Sequence, residues 1–167
     1  KYPETMQDRI SELEDARKSL MEALEQERAE GAGWSAAEIA YHLHLVEKQV
    51  GRMLQTLLKS ADAQNRISDE ALRAEWERVR AILSNRNARA EAPEMVVPAN
   101  APSLEESKKL LAASRAVLLE ALQERSIDEL AAISFPHPIP ALGKLSGAGW
   151  ISLLAHHELR HVAQLCS

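Results

Sequence analysis

The sequence is poor in aromatic residues, has a single cysteine and lacks any long hydrophobic run. Aromatic residues make up 4% of the 167 residues, while Leu, Ala, Glu, Arg and Lys are abundant, and this composition favours helices over sheets. The single cysteine, Cys166, excludes an internal disulfide and fits a reducing cytoplasm. We interpret it as incidental, because a lone cysteine so close to the end is more often incidental than reactive.

An excess of positive charge is also missing. The formal net charge is −5 with no basic stripe, so we expect no nucleic-acid partner. No apolar run reaches the roughly 18 residues that span a bilayer, and no export signal opens the sequence. We therefore expect a cytoplasmic protein with no membrane partner. The length and the ordinary balance of 46% hydrophobic and 27% charged residues predict one globular domain over residues 1–167.

Four long segments have apolar residues at helical spacing with charged residues between them. They cover residues 6–30, 35–60, 103–125 and 146–167. Glycines at 31 and 33 end the first, and capping boxes that start at Ser35 and Ser103 open the second and third. Residues 68–87 predict a weakly patterned helix, whereas the segments rich in proline or glycine at 91–102 and 135–149 predict loops. The pattern predicts an all-α four-helix bundle with short extra helices and a crossover connection between the second and third long helices.

Histidines lie on the predicted buried faces of two of these helices. At about 100° per residue, His157 and His161 fall in the middle of the apolar face of the last helix, inside the sequence AHHELRHVAQL. His42 falls at the edge of the buried face of the second helix. By the same geometry His44 lies on the opposite face beside Glu47, and we expect it to be solvated.

Three inward imidazoles from two helices can bind one divalent metal. Burying three histidines without a partner would cost desolvation free energy, which a metal ion removes. Hydrogen bonds to neighbours such as Gln164 or Tyr41 are an equally good explanation of the spacing. His137 lies between prolines, where a histidine is usually on the surface, although it could project over the mouth of the bundle.

His157, Glu158 and His161 also spell the H-E-x-x-H signature of zinc proteases. Those enzymes use the glutamate as a general base and take a third ligand from further along the chain. Six residues follow His161, and none of them is His, Asp or Glu. We therefore reject a protease. Glu158 lies about 100° from His157 on the helix and so leaves the apolar stripe. We expect it to be either a residue of the helix surface or one that supports a metal ligand.

Three pieces of the sequence together resemble the DinB/YfiT-like family of metal-binding four-helix bundles. The first is WSAAEIAYHL at 34–43, similar to the W-S-x-x-E-x-x-x-H-L opening of the family's second helix. The second is FPHP at 135–138, followed by LGKLS at 142–146 and Trp150, similar to the family's loop before the last helix. The third is HELRHVAQL at 157–165, similar to its H-x-x-R-H-x-x-Q-L ending.

The resemblance implies a fold, a ligand set and an activity class. It implies a bundle with non-sequential helix order and metal ligands at His42, His157 and His161. Zinc, nickel, iron or manganese would suit such a site. It also implies a homodimer, a small-molecule substrate and, for several members, thiol-dependent transferase or isomerase activity with bacillithiol, mycothiol or glutathione as cosubstrate.

We therefore expect a metal-dependent S-transferase that joins a low-molecular-weight thiol to a small electrophile. A hydrolase is the alternative, in which the metal lowers the pKa of water and Glu158 acts as base. A third hypothesis is a non-catalytic bundle that binds a metal or a small ligand.

Overall fold

A computed structural model of the chain describes residues 1–26, 33–87 and 92–167. Within these residues the protein is mainly helical, as the sequence predicts. The α-helices are α1 (Met6–Leu24), α2 (Ala36–Leu58), α3 (Asp69–Ser84), α4 (Leu104–Leu122), α5 (Ile127–Ala131) and α6 (Gly147–Leu165). Short 3-10 helices cover Ala63–Asn65 and Glu94–Val96, and two strands form β1 (Ser134–Pro136) and β2 (Lys144–Ser146).

Each α-helix begins at a serine or threonine whose hydroxyl accepts a backbone N–H of the first turn, which satisfies one of the donors left open there. These residues are Thr5, Ser35, Ser68, Ser103, Ser126 and Ser146. The predicted capping box at Ser35 is confirmed, because Glu38 also accepts the Ser35 N–H. Helix α1 ends at Leu24, earlier than predicted. The rest of its predicted length at 27–30 and most of its glycine stop at 31–33 lie outside the described residues.

The four long helices α1, α2, α4 and α6 form the bundle, and the predicted crossover is present. Contacts between α2 and α4 advance in the same chain direction on both helices, from Glu47 with Arg115 to Gly51 with Leu118, so the two helices are parallel. Parallel neighbours cannot be joined by a tight turn. The connection between them therefore returns along the length of the bundle, and it contains α3, which packs on the outside of α6.

A layer of charged side chains divides the apolar core into two clusters. Each of the four bundle helices contributes one residue to this layer, which we call the ionic layer: Arg17, Glu47, Arg115 and Glu158. The larger apolar cluster includes Leu13, Val50, Leu118 and Leu154, and the smaller one includes Leu20, Leu43, Leu111 and Leu165. On every helix the charged residue lies between members of the two clusters, so the layer crosses the whole bundle.

The prediction of a loop at 135–149 is wrong in part, because this segment contains a two-stranded antiparallel hairpin and the first turn of α6. Phe135 pairs with Leu145, and Gly143 has a φ of +67° that suits the turn between the strands. Leu142 and Leu145 are buried at 1% and 0% exposure. Burial of these leucines outweighs the effect of the prolines. Pro136 stands in a two-stranded sheet, where a missing N–H costs little, and Pro138 and Pro140 lie in the connection between the strands.

None of the helices in the described part of the chain is long and apolar enough to cross a membrane.

Candidate metal centre

The three predicted histidines converge at one end of the bundle. His42 from α2 and His157 from α6 bring their Nε2 atoms to 3.2 Å, and the Nε2 atoms of His161 and His157 are 3.3 Å apart. All three ligand atoms lie within 4.8 Å of one another. The residues lie on the side of the ionic layer that holds the smaller apolar cluster.

The hydrogen bonds of two of these histidines at Nδ1, which we call the outer nitrogen because it points away from the three Nε2 atoms, determine which tautomer is present. His42 Nδ1 lies 2.6 Å from the carbonyl oxygen of Val96, and His161 Nδ1 lies 2.8 Å from Oε1 of Gln164. A carbonyl oxygen can only accept, so both Nδ1 atoms carry the proton and donate. The Nε2 atoms of His42 and His161 are therefore unprotonated, and their lone pairs point toward the third histidine.

His157 cannot supply a hydrogen-bond donor to both of these lone pairs. It has one Nε2 proton at most, so it can donate to either His42 or His161 but not to both. Its Nδ1 is inaccessible to solvent and has no hydrogen-bond partner among the described residues. A cation at the centre of the three Nε2 atoms would satisfy all three lone pairs together.

The spacing of the three nitrogens fits a divalent transition metal. Two imidazole nitrogens bound ~2.05 Å from zinc in tetrahedral geometry lie roughly 3.3 Å apart, close to the separations measured here. His157 Nε2 lies at this distance from both other ligand atoms. Two of the three nitrogen pairs therefore already have the spacing of metal ligands, and the third pair lies within 4.8 Å.

Burial keeps these histidines neutral, which is the form that binds metal. Burial lowers the pKa of His42, against a smaller opposing effect of its bond to Val96. Burial, followed by the neighbouring His42, lowers the pKa of His161 to about 3. The pKa of His157 is held well below its ordinary value by burial and then by His161 and His42.

Trp34, which precedes the start of α2, covers two of the three histidines, His42 and His161. Its ring centroid lies 4.9 Å from that of His42, and it stacks on His161 at 6.4 Å with the ring planes 17° apart. Trp34 is itself half-buried. The first residue of the W-S-x-x-E-x-x-x-H-L piece therefore shields the site, and Ser35 and Glu38 cap the helix that carries His42.

Two expectations about charged and polar neighbours are wrong. His44 is only 8% exposed, where we expected a solvated side chain, and it stacks with Tyr41 at 6.0 Å between centroids. Glu158 is 3% exposed, so the first of our two expectations for it, a residue of the helix surface, is wrong. In both cases neighbouring helices cover a face that is polar in the sequence of the helix itself. Glu158 forms ion pairs with arginines of those helices.

Glu158 belongs to the ionic layer and is occupied by two arginines. Its Oε1 accepts from Arg17 at 2.6 Å and its Oε2 accepts from Arg115 at 3.1 Å. Glu47 bridges the same arginines, with Arg17 at 3.1 Å and Arg115 at 2.8 Å. Burial raises the pKa of Glu158, and the two arginines oppose this effect. Two cations and two anions thus balance inside the bundle.

The sequence contains a signal for this layer that wheel analysis of single helices missed. Apolar residues on each helix follow a spacing of four and three, and one position of that pattern is taken by a charge. The interrupted patterns are Leu13-Arg17-Leu20-Leu24, Leu43-Glu47-Val50-Leu54, Leu111-Arg115-Leu118-Leu122 and Leu154-Glu158-His161-Leu165. Two acids and two bases at equivalent inward positions indicate a buried network.

The remaining histidines are not part of the three-histidine cluster, although His137 is near enough to contribute to the lowered pKa of His157. His137 stacks on Trp150 at 5.2 Å, and its Nδ1 accepts the N–H of Ile139 at 2.9 Å, so it belongs to the hairpin turn. His156 is half-buried on the other flank of α6, with its Nε2 3.6 Å from Glu12. Cys166 is exposed and follows the end of α6.

Comparison with known proteins agrees with this architecture. The sequence profile described as the DinB superfamily matches residues 4–165. "Uncharacterized protein YuaE" of Bacillus subtilis (strain 168) is 26% identical over 133 residues, which cover 79% of this chain and 75% of that protein. A solved structure titled "Crystal structure of TT2238, a four-helix bundle protein" matches with a TM-score of 0.57 and 25% identity, covering 96% of this chain and 97% of the other. With a profile match over nearly its whole length and a four-helix bundle as its fold, the chain belongs to the DinB superfamily.

Proposed function

We propose that the protein is a metal-dependent enzyme that transfers a low-molecular-weight thiol to a small electrophile. The site would be a divalent cation held by His42, His157 and His161. The observation that carries this proposal is the convergence of three Nε2 atoms, with two of them held unprotonated by bonds on the other side of the ring. The class of activity is the one that the resemblance to the DinB/YfiT-like family implies, and the match to the DinB superfamily agrees with that resemblance.

Three neutral imidazoles suit zinc, nickel, iron or manganese, and they leave at least one coordination position for a reactant. A divalent cation with an open position lowers the pKa of a coordinated thiol, so that thiolate is available at neutral pH. In the reaction class that we propose, a C–S bond forms at an electrophilic carbon and the bond to the leaving group breaks. The leaving group takes the electron pair, and the thiol proton passes to solvent.

The side chains around the triad would serve this chemistry in different ways. Val96 and Gln164 hold His42 and His161 in the tautomer that presents Nε2. Trp34 covers these two histidines and limits the access of water. We infer that this shielding favours attack by the thiol over hydrolysis of the electrophile.

Hydrolysis by the same metal is the second candidate, and the position of Glu158 counts against it. A hydrolase needs a general base that can reach a metal-activated water. The carboxylate of Glu158 instead contacts Arg17 and Arg115 in the ionic layer. A further function, metal or ligand binding without catalysis, would use the same three histidines.

The first experiment measures metal content by elemental analysis of the purified wild type and of the triple variant His42→Ala/His157→Ala/His161→Ala. We expect about one metal ion per chain in the wild type and none in the triple variant. His156→Gln is the matched control, because His156 neighbours a proposed ligand on the same helix but faces Glu12. It should keep its metal.

The second experiment mixes the metal-loaded protein with a chromogenic aryl chloride and glutathione, bacillithiol or mycothiol in turn. Thiol-dependent release of chloride by the wild type and His156→Gln, but not by the triple variant, supports the transferase. Cleavage of an ester without thiol would support the hydrolase instead. A metal-loaded chain that turns over neither substrate would leave only a binding function.

A further inference from the structure

The three histidines of the proposed metal site differ at their outer nitrogens. His42 donates to a backbone carbonyl and His161 to a side-chain amide oxygen. His157 Nδ1 is buried and has no partner within the described residues. A histidine that binds a metal through Nε2 carries its proton on Nδ1, and that N–H is normally donated to a carboxylate, a carbonyl or a water molecule. His157 therefore needs an acceptor that the described residues do not provide directly.

A small cavity borders His157. Its walls are formed by His157, two leucines and three members of the ionic layer: Arg17, Leu43, Glu47, Leu154, His157 and Glu158. Its volume is about 10 Å³, close to what one water molecule requires. Cavities of this size that are lined by charged and hydrogen-bonding groups hold water, whereas purely apolar ones stay dry.

The two glutamates of the cavity wall differ in their capacity to accept another hydrogen bond. Each carboxylate oxygen can accept about two. Both oxygens of Glu47 are fully used, by Arg17, Arg115 and Ser114. Each oxygen of Glu158 accepts one hydrogen bond from the described residues, so each keeps a free lone pair.

We propose that one water molecule in this cavity accepts the Nδ1–H of His157 and donates to the carboxylate of Glu158. Glu158 is then a positioning residue of the metal site, acting through the water on His157, and the two arginines of the ionic layer hold its carboxylate in place. The inference rests on the proposed metal site. It gives the H-E pair at 157–158 a role other than the base of a protease.

The chain offers a matched pair of variants for the test. Glu158→Gln and Glu47→Gln each remove one negative charge from the same network, between the same two arginines. Both should lower the stability of the bundle to a similar extent. Only Glu158→Gln removes the charge that faces the water, so only this variant should affect the metal through His157.

The measurement is the zinc dissociation constant, obtained by competition with a chromogenic chelator, together with the visible absorption spectrum after loading with cobalt(II). We expect Glu158→Gln to bind zinc at least about tenfold more weakly and to change the cobalt bands, while Glu47→Gln stays close to the wild type in both. Equal effects in the two variants would overturn the inference but leave the metal site standing. Failure of the wild type itself to bind zinc would overturn both.

A second measurement covers the case in which either variant fails to fold. A high-resolution crystal structure of the zinc-loaded wild type should show a water within about 3 Å of both His157 Nδ1 and the Glu158 carboxylate. An empty cavity, or a direct contact between His157 Nδ1 and a protein atom, would overturn the inference.

Discussion

Ser146 donates both its backbone N–H and its hydroxyl to the carboxylate of Glu75, at 2.8 and 2.6 Å. Both residues are buried, with 3% and 5% exposure. The same hydroxyl accepts the N–H of Gly149 and caps α6. Glu75 on α3 therefore fixes the start of the helix that carries two of the three site histidines, and it places a negative charge at the positive end of that helix.

Replacement of this carboxylate should weaken the fold without touching the metal site. Glu75→Gln puts an amide N–H near donors at Ser146, and we expect a loss of ~1–3 kcal/mol in the free energy of unfolding. Urea denaturation measures it. Glu77→Gln, an exposed change on the same helix, should stay within about 0.5 kcal/mol of the wild type. A loss in Glu75→Gln no larger than that would contradict this account.

The carboxylate of Glu75 lies so close to Gly149 that no side chain fits at this position. A Cβ atom at this position would lie 2.4 Å from Oε1 of Glu75, closer than real contacts allow. Gly149→Ala should therefore displace Glu75 and lower the free energy of unfolding. The cost should be smaller in a Glu75→Ala background, because the clashing atoms are gone. A double-mutant cycle by urea denaturation checks this, and strict additivity of the two changes would refute it.

Removal of one arginine from the ionic layer should be expensive. Arg115→Ala leaves Glu47 and Glu158, both nearly inaccessible, to share Arg17. Breaking one partner of a buried ion-pair network costs ~3–5 kcal/mol, because a desolvated charge loses its counter-charge. Lys109→Ala on the exposed face of α4 is the control and should change little. A loss below about 1 kcal/mol for Arg115→Ala would mean that water or other groups replace the arginine.

The sequence predicted the triad because its information is local. His157 and His161 are one turn apart on a helix with a clear apolar stripe, and His42 lies one turn before Val46, at the edge of a similar stripe. Each face could be assigned from a single helix. The apolar faces of the helices pack against one another inside the bundle, so histidines on these faces are expected to be buried and to lie close together.

The burial of Glu47 and Glu158 was not predicted, for the opposite reason. Whether a charge is buried depends on a counter-charge from another helix, and Arg17 and Arg115 are distant in sequence from both glutamates. A helical wheel drawn for one helix contains no information about a counter-charge on another helix. The hairpin at β1 and β2 was missed for a related reason, since three-residue strands have too few positions to show alternation and are stabilised by the leucines buried beneath them.

The hairpin histidine, which is not one of the proposed metal ligands, provides a pH test of its own. Burial lowers the pKa of His137 from its ordinary 6.5 to about 4. Protonation of Nδ1 would also break the hydrogen bond from the Ile139 N–H. Since the unfolded chain binds this proton more readily, the stability that His137 contributes is fully present above about pH 6.5 and is lost as the pH falls through about 4.

Titration of the His137 ring by NMR should give a pKa near 4 in the folded protein. His137→Asn keeps an acceptor for the Ile139 N–H but does not titrate, so the unfolding midpoint of this variant should depend less on pH between 4 and 6.5. A His137 resonance that titrates near its ordinary value would show that the ring is solvated.

Metal removal and single-ligand variants test the centre through stability, independently of turnover. A ligand that binds only the folded chain stabilises it by about 2.7 kcal/mol at a concentration one hundred times the dissociation constant. Added zinc should therefore raise the melting temperature of the chelator-treated wild type and of His156→Gln by similar amounts, and should leave His157→Ala nearly unchanged. His157 is the sharpest choice because its Nε2 is the atom that lies within 3.2–3.3 Å of both other ligands. An equal rise in His157→Ala would place the bound zinc elsewhere on the chain.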